Sequence, residues 1–297
     1  MEIGLNLSFA VKRWMTPRSL GDLVGSIHDQ YGVSRYQFSF DQLDPWWPAK
    51  KRDALAQNYR EELEGNGLKI DSAFGGLAAY TFPNLLAPLR EQRESGLELF
   101  KRSLDTTIAL GATVYGSPLG GMDAAEAQDE TLRKLRYQEA VEAYHSLAEY
   151  AAQVGVTELM VEPTPVDKEL LFTPETCLQF AKDVADAAVP VTFLVDWGHA
   201  VCAPHGSLES MAVWLNSLGA NVGALHLQQT DGVSDRHWAF DREGLITNEV
   251  IQQVAANTGT QDLVQYLEYM PLFEDDDASV LASVRTSLEY LSESFSV

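Results

Sequence analysis

The sequence predicts an α/β fold, a single (β/α)8 TIM barrel that spans residues 1–297. Short apolar runs alternate with longer amphipathic segments, which is typical of parallel strands joined by helices. Eight such runs are present, and a chain of 297 residues has the length of one barrel. An open doubly wound sheet is the alternative. That fold favours a glycine-rich turn after the first strand, and residues 6–14 contain no glycine.

The eight strands are expected where apolar residues cluster between turn-forming or helical segments. We place them at 2–9, 34–40, 68–74, 112–118, 157–163, 191–197, 222–228 and 263–269. Because each run is followed by a helical segment, the strands are expected to lie parallel.

Several of the intervening helices carry clear end signals. The segment 48–67 starts at a proline and stops at a glycine. The segment 132–155 has apolar residues three or four positions apart and also stops at a glycine. The segment 173–187 opens with threonine, proline and an early glutamate, which is a typical capped start. The acidic segment 273–280 predicts the start of the last helix, since carboxylates are favourable at a helix N-terminus.

The composition argues against several classes of protein. With 43 acidic and 21 basic side chains, the formal net charge is −22, so nucleic acid and anionic membranes are poor partners. No basic segment precedes the apolar run at the N-terminus, and no run is long enough to span a membrane. We therefore expect a cytoplasmic protein. Cys177 and Cys202 are expected to be reduced, buried thiols, because they match neither a disulfide framework nor a CxxC metal site.

The four later strands each deliver one polar residue near the carboxyl end. These are Glu162 in LMVEP, Asp196 in LVDWGH, His226 in ALHLQ and Glu268 in QYLEYM. Active sites of such barrels lie at the carboxyl ends of the strands, so the four side chains should converge when the barrel closes. Taken singly, each has an ordinary explanation. Asp196 fits a helix cap, and His226 fits a buried core histidine.

Taken together, the four residues predict a metal site. Three carboxylates and one imidazole cannot neutralise one another, and buried charges are costly unless they are paired or bind a cation. Carboxylate oxygens with one imidazole suit Mn²⁺, Mg²⁺ or Co²⁺ better than the metals that prefer thiolates. We therefore predict a divalent ion, Mn²⁺, Mg²⁺ or Co²⁺, at this end of the barrel.

With these residues in this order, the chain resembles the xylose isomerase-like barrel superfamily and its sugar isomerase/epimerase branch of the D-tagatose 3-epimerase type. In that branch a glutamate ends strand five, and an aspartate after strand six is followed three residues later by a histidine. A histidine in strand seven is followed by an arginine, and a glutamate ends strand eight. Here the pattern falls on Glu162, Asp196 with His199, His226 with Arg236, and Glu268.

The resemblance implies that Glu162, Asp196, His226 and Glu268 hold a single divalent ion, usually manganese. It also implies that His199 and Arg236 contact the substrate, and it makes a homo-oligomer plausible. One departure is visible, because the segment LQQTDGVSD lengthens the loop between the strand-seven histidine and its arginine. The substrate end of the pocket is therefore expected to be remodelled.

Three side chains are predicted to shape that remodelled end. Arg236 and His237 are placed to neutralise a phosphate or carboxylate on the substrate. Trp197 is one of several aromatic residues expected at the same face of the barrel, where sugar C–H groups stack on such rings.

The predicted reaction is proton abstraction next to the carbonyl group of a small ketose or ketose phosphate. The metal stabilises the enediolate as a Lewis acid, while Glu162 and Glu268 flank the carbon, one removing a proton and the other returning one. This inverts the centre; transfer between adjacent carbons gives aldose–ketose isomerisation instead. The alternatives are a lyase or decarboxylase on a 3-oxo sugar acid or glycoside, an endonuclease IV-like hydrolase, and a non-catalytic sugar-binding relative.

Overall fold

Eight parallel strands pair in chain order and close into a barrel, with the first strand against the last. The structure is a computed structural model that describes residues 1–82, 84–202 and 206–295. The strands are β1 Glu2–Asn6, β2 Arg35–Ser39, β3 Lys69–Phe74, β4 Val114–Ser117, β5 Glu158–Val161, β6 Val191–Asp196, β7 Val222–Leu227 and β8 Val264–Leu267. The predicted (β/α)8 barrel is therefore confirmed, and the open-sheet alternative is wrong.

All eight predicted strands are present, and each is shorter than the run that predicted it. The apolar run that predicted β1 continues beyond Asn6, although the strand itself ends there. The strand ends because the Asn6 side chain accepts a hydrogen bond from the backbone N–H of Ser8 at 2.8 Å. This bond caps a single 3₁₀ turn, Leu7–Ala10. Strand and turn are both buried, so apolar composition alone could not mark where the strand ends.

Helices connect the strands around the outside of the barrel. They are α1 Pro17–Tyr31, α2 Ala49–Gly65, α3 Gly76–Thr81, α4 Arg90–Ala109, α5 Glu130–Val154, α6 Pro174–Asp183, α7 Trp197–Val201, α8 Ser210–Leu218, α9 Asn248–Thr258 and α10 Asp277–Leu291. Three of the predicted end signals are confirmed, whereas α2 ends at Gly65, before the predicted stop at residue 67, and α6 ends at Asp183, before residue 187. Thr173 caps α6, Asp276 caps α10, and Gly155 ends α5 in the left-handed conformation (φ 98°), which favours glycine.

The inside of the barrel is packed with side chains. Phe74, Met160, Leu194, Ala224 and Tyr266 form one buried cluster, distinct from the larger apolar core that includes the helices. A Cβ at Gly4 would lie 2.6 Å from the ring of Tyr266, so the glycine in β1 makes room for this ring. A filled barrel leaves its chemistry to the loops and strand ends.

Both cysteines are buried, and neither forms a disulfide, as predicted. Within the described ranges, no helix is both long and apolar enough to cross a membrane.

Candidate metal centre and active site

The four predicted ligands come together at the carboxyl end of the barrel. Glu162 follows β5, Asp196 ends β6, His226 lies in β7 and Glu268 follows β8. Each offers one ligand atom, and these atoms all lie within 4.8 Å of one another. All four residues are buried, with at most 2% of their surface exposed. We call them the four-ligand cluster; their convergence is a property of the structure, and their role as ligands stays a prediction.

His226 lies at the centre of the four-ligand cluster. Its Nδ1 atom is 2.9 Å from Glu162 Oε1, 2.8 Å from Glu268 Oε2 and 4.0 Å from Asp196 Oδ2. One ring nitrogen carries at most one proton, so it cannot satisfy three carboxylates. Among the described residues, the buried oxygens Asp196 Oδ2 and Glu268 Oε2 accept no hydrogen bond of normal geometry, although Glu268 Oε2 lies close to His226 Nδ1. Buried oxygens of this kind are costly, and together with Nδ1 they fit the donor set of a divalent cation.

Burial and mutual charge shift the titration of all four groups. Burial raises the pKa of Glu162 to about 7 and raises the pKa of Asp196 as well. Burial lowers the pKa of His226, but Glu268 and Glu162 outweigh it and raise this pKa to about 10. Burial also opposes ionisation of Glu268, yet His226 and the nearby His237 hold its pKa below the ordinary value. The cluster therefore has an excess of carboxylate charge that favours any cation within it.

Asp196 fits both of its sequence interpretations. Its Oδ1 atom accepts hydrogen bonds from the backbone N–H of His199 at 3.0 Å and from Gln228 Nε2 at 2.9 Å, so it caps α7. Its other oxygen, Oδ2, faces His226. The three-residue spacing between Asp196 and His199 is the spacing of a helix cap, and the same carboxylate still offers a free oxygen to the cluster.

Side chains from β1 and β2 contact the four-ligand cluster from the other half of the barrel. Gln37 Oε1 lies 2.6 Å from His226 Nε2, and Asn6 Nδ2 donates to Glu268 Oε1 at 3.2 Å. Both residues are fully buried. Our sequence reasoning missed them because it examined polar residues only at the ends of the last four strands. The same signal, a polar residue in a short apolar strand, is present in the first two.

The β3–α3 segment closes the cluster on the Glu162 side. The Tyr80 hydroxyl donates to Glu162 Oε2, and the ring of Phe74 packs edge-on against His226 with centroids 4.8 Å apart. Aromatic walls exclude water, and hydrogen bonds and charge interactions are stronger in such a low-dielectric setting.

A second group of titratable residues, His199, Asp235 and His237, lies beside the first; we call it the outer triad. Asp235 Oδ2 is 3.1 Å from His199 Nε2 and 2.9 Å from His237 Nε2, so one oxygen joins two imidazoles. The other nitrogen of His199 lies 3.0 Å from the Pro163 carbonyl oxygen. His237 Nδ1 has no hydrogen-bond partner and lies 3.4 Å from Glu268 Oε2.

The outer triad combines one negative and two positive groups. Burial raises the pKa of Asp235, but His199 and His237 outweigh it and hold this pKa well below the ordinary value. Burial lowers the pKa of both histidines, but Asp235 outweighs it, so that the pKa of His199 is well above its usual range and that of His237 is about 9. The triad is therefore a set of N–H donors with positive charge beside the four-ligand cluster.

Gln228 joins the two groups. Its Nε2 atom donates to Asp196 Oδ1 at 2.9 Å and to Asp235 Oδ1 at 2.7 Å, and its Oε1 accepts from the backbone N–H of His237. A Cβ at Gly198 would overlap the Gln228 side chain, so this glycine allows the amide to reach both carboxylates. Neither Asp235 nor Gln228 was predicted. Asp235 lies in a loop, where no strand-end signal applies, whereas Gln228 is the polar last residue of the strand predicted at 222–228, a signal that could have identified it.

The remaining predicted substrate contacts lie at the margin of the site. Arg236 pairs with Asp231, with Nη2 and Oδ2 2.8 Å apart, and its guanidinium lies over the ring of Trp238 at 5.3 Å. About a third of the Arg236 side chain, 35%, is exposed. Trp197 is buried, and its indole N–H donates to Gln265 Oε1 at 3.0 Å. Substrate contact by Arg236 or Trp197 stays a prediction, and the structure gives Trp197 a core environment.

Gly75 and Ala79 of the β3–α3 segment help to line a cavity of about 490 Å³. In the chain these two residues are the neighbours of Phe74 and Tyr80, which contact the four-ligand cluster. The lining is largely aromatic or apolar and includes Phe40, Trp46 and Trp47. The described lining residues include two aspartates but neither lysine nor arginine. The cavity therefore suits an uncharged part of a ligand.

Comparison with known proteins identifies the family of the fold. A family model described as xylose isomerase-like TIM barrel matches residues 30–287 of the chain. The D-erythrulose 1-phosphate 3-epimerase of Brucella abortus (strain 2308) is 22% identical over 302 residues, which covers 98% of this chain and 95% of that protein.

Solved structures show the same architecture. A Rhodospirillum rubrum ATCC 11170 protein, crystallised under the provisional name of xylose isomerase, superposes with a TM-score of 0.94 at 36% identity and covers 100% of both chains. The D-psicose 3-epimerase of Clostridium cellulolyticum H10, crystallised with D-tagatose, superposes with a TM-score of 0.73 at 16% identity, also over 100% of both chains. At that lower identity the likeness shows the fold alone.

Proposed function

We propose that this chain, which belongs to the xylose isomerase-like TIM barrel family, is a divalent-metal-dependent sugar epimerase or isomerase that acts on a small ketose or ketose phosphate. One observation carries the proposal. Four ligand atoms from the carboxyl ends of four strands lie within 4.8 Å of one another, and two of the carboxylates keep a buried oxygen that accepts no hydrogen bond from the described residues. The named epimerase relative aligned over 98% of the chain supports the same chemistry.

The donor set suits Mn²⁺, Mg²⁺ or Co²⁺, because it consists of carboxylate oxygens and one imidazole nitrogen, and the family resemblance points to Mn²⁺ among them. When bound, such an ion supplies Lewis-acid stabilisation of the negative charge that develops on a sugar oxygen as the adjacent C–H bond breaks. Glu162 Oε1, Asp196 Oδ2, His226 Nδ1 and Glu268 Oε2 are the atoms that would hold it.

Glu162 and Glu268 are the groups that would move the proton. They enter from β5 and β8, three strands apart in the ring, so their carboxylates approach the centre from different sides. Removal of a proton by one and its return by the other inverts a carbon, which is epimerisation. The Tyr80 hydroxyl and the Asn6 amide each hold one oxygen of a glutamate, which limits rotation of both carboxyl groups.

The outer triad is the proposed binding site for the oxygens of the substrate. Both ring nitrogens of His199 already bond to Pro163 and Asp235, and His237 Nε2 bonds to Asp235. His237 Nδ1 has no hydrogen-bond partner among the described residues and lies 3.4 Å from Glu268 Oε2, so a substrate oxygen would bind there. A substrate oxygen bound by His199 would replace one of its present bonds. Positive charge there suits hydroxyl, carbonyl or phosphate oxygens. The aromatic cavity lined in part by α3 suits the uncharged carbons at the other end of a sugar.

The direct test combines isotope exchange with two isosteric variants. The protein is incubated with Mn²⁺ in D₂O and a panel of ketoses and ketose phosphates. A substrate should take up deuterium at the carbon next to its carbonyl group. Glu162→Gln and Glu268→Gln should abolish exchange in folded protein, and chelation should stop it until Mn²⁺ is added back. Undiminished exchange in either variant removes that glutamate from the mechanism. Exchange that does not depend on a metal would refute the metal's role.

The runner-up is a lyase or decarboxylase that uses the same site on a 3-oxo sugar acid or glycoside. The arrangement of the four-ligand cluster suits both reactions, because each begins with negative charge next to a carbonyl group. Net loss of carbon dioxide or of an aglycone from such a substrate, without exchange in the ketose panel, would favour this second function. Cytoplasmic location and homo-oligomeric assembly stay predictions.

A further inference from the structure

We propose that Asn6 and Gln37 are positioning residues that determine which nitrogen of His226 faces the metal. This inference rests on the proposed metal-dependent function. Both side chains are fully buried and lie on β1 and β2, outside the strands that carry the four-ligand cluster. A chain of hydrogen bonds runs from the backbone through these two amides to the imidazole, and each donor and acceptor in it can be assigned.

The backbone sets the orientation of the Asn6 amide. The N–H of Ser8 donates to Asn6 Oδ1 at 2.8 Å. A backbone N–H requires an acceptor, so the oxygen of the amide must face Ser8 and the NH₂ group must face the site. That NH₂ group, Nδ2, donates to Gln37 Oε1 at 2.7 Å and to Glu268 Oε1 at 3.2 Å.

Asn6 in turn sets the orientation of the Gln37 amide. Because Asn6 Nδ2 is a donor, the Gln37 atom opposite must be the oxygen. The NH₂ group of Gln37 then donates to Ser72 Oγ at 3.1 Å, which satisfies its other end. The same Gln37 oxygen lies 2.6 Å from His226 Nε2. An acceptor at that position requires a proton on Nε2.

A neutral imidazole with its proton on Nε2 has its lone pair on Nδ1. Nδ1 is the atom beside Glu162 and Glu268. The bond from Asn6 also occupies Glu268 Oε1. It leaves Oε2, which accepts no hydrogen bond from the described residues, beside His226 Nδ1. The two amides therefore select the coordinating atoms of one imidazole and one carboxylate. Partners of this kind typically change metal affinity 10- to 100-fold when they are removed.

Two isosteric changes give opposite expectations. In Asn6→Asp the new carboxylate still accepts from Ser8, but its other oxygen meets acceptors on Gln37 and Glu268. Gln37 then reverses its amide to donate, which places NH₂ against His226 Nε2 and moves the imidazole proton to Nδ1. We expect Mn²⁺ affinity to fall about 10- to 100-fold.

In Gln37→Glu the acceptor opposite His226 Nε2 is kept, and the Ser72 hydroxyl can donate to the second oxygen of the new carboxylate. Mn²⁺ affinity should therefore stay within about 3-fold of wild type or increase.

The measurement is calorimetric titration of Mn²⁺ into chelator-treated protein, which needs no sugar. The tautomer of His226 is read from ¹⁵N spectra of histidine-labelled, Zn²⁺-loaded protein, which report the ring nitrogen that bears the proton. The His226 signals are assigned by their disappearance in His226→Gln. Asn66→Asp is the matched control, because its amide is exposed and bonds Gly21 and Glu62 between α1 and α2; it should leave Mn²⁺ affinity unchanged.

The outcomes separate this inference from the function it rests on. Wild-type affinity in folded Asn6→Asp, or a Zn²⁺-loaded wild type whose His226 has its proton on Nδ1, overturns the positioning role alone. An equal loss of affinity in Asn6→Asp and Gln37→Glu indicates general damage to packing and also overturns it. A wild-type protein that binds no divalent ion overturns the proposed function together with this inference.

Discussion

The four-ligand cluster and the outer triad lie side by side at one end of the barrel, yet they are built differently. Each side chain of the cluster comes from a separate strand, whereas the triad takes His199 from α7 and its other two members from the loop after β7. The cluster sets three carboxylates against one imidazole, and two of its buried oxygens accept no hydrogen bond from the described residues. The triad sets one carboxylate between two imidazoles.

This difference in charge balance assigns different tasks to the two groups. A surplus of carboxylate oxygen on rigid strands meets the geometric demands of a metal ion. A donor-rich group on a helix end and a loop can be altered without disturbing the barrel, which is where specificity in such folds is usually found. The comparison predicts that the cluster governs metal affinity and that the triad governs substrate affinity.

The largest expected effect comes from removing one charge from each group in turn. In Asp196→Asn the amide still caps α7, but the cluster loses a ligand, and Mn²⁺ affinity should fall by about 100-fold or more. In Asp235→Asn the metal ligands are intact, so Mn²⁺ affinity should stay within about 3-fold of wild type while KM rises by roughly 10-fold or more. Calorimetry and steady-state kinetics measure the two quantities. Equal losses of Mn²⁺ affinity in both variants would show that the two groups form a single metal site.

A second difference should appear in thermal stability. An ion that binds only the folded protein stabilises it by about 2.7 kcal/mol at a concentration 100 times its Kd. With an unfolding entropy of about 2.1 cal/mol/K per residue, a chain of 297 residues should show a rise in Tm of about 4 °C. Scanning calorimetry with and without Mn²⁺ measures the shift, which should persist in Asp235→Asn and vanish in Asp196→Asn. A shift that survives Asp196→Asn would place the stabilising ion outside the four-ligand cluster.

Arg236 tests whether the triad side of the site accepts an anion. Its guanidinium pairs with Asp231 and is partly exposed, so a phosphate would compete with that carboxylate for it. We expect Arg236→Gln to raise KM for a ketose phosphate by about 10-fold, equivalent to about 1.4 kcal/mol, and to leave KM for the corresponding free ketose unchanged. An equal change for both substrates, measured by steady-state kinetics, would argue against recognition of an anionic group by Arg236.

The comparison also explains what the sequence could predict. Glu162, Asp196, His226 and Glu268 interrupt apolar strands, and parallel strands bring their carboxyl ends together, so linear spacing was sufficient to predict their convergence. Asp235 lies in a loop whose path depends on an isolated antiparallel bridge between Gln229 and Trp238. No periodicity encodes such a path, so its contacts with the two histidines were not predictable.

The smallest expected effect concerns Gln228, which hydrogen-bonds to both groups. Gln228→Met removes a donor from Asp196 and Asp235 while keeping similar volume, and Mn²⁺ affinity should fall by about 10-fold. If the Gln228 amide couples the charge of Asp235 to metal binding, the small effect of Asp235→Asn on Mn²⁺ affinity should disappear in the Gln228→Met background. A double-mutant cycle should then give a coupling energy of about 0.5 to 1 kcal/mol. If the free-energy effects of Gln228→Met and Asp235→Asn on Mn²⁺ binding simply add, the two groups act independently. In that case Gln228 does not couple them, because its loss leaves the effect of Asp235→Asn unchanged.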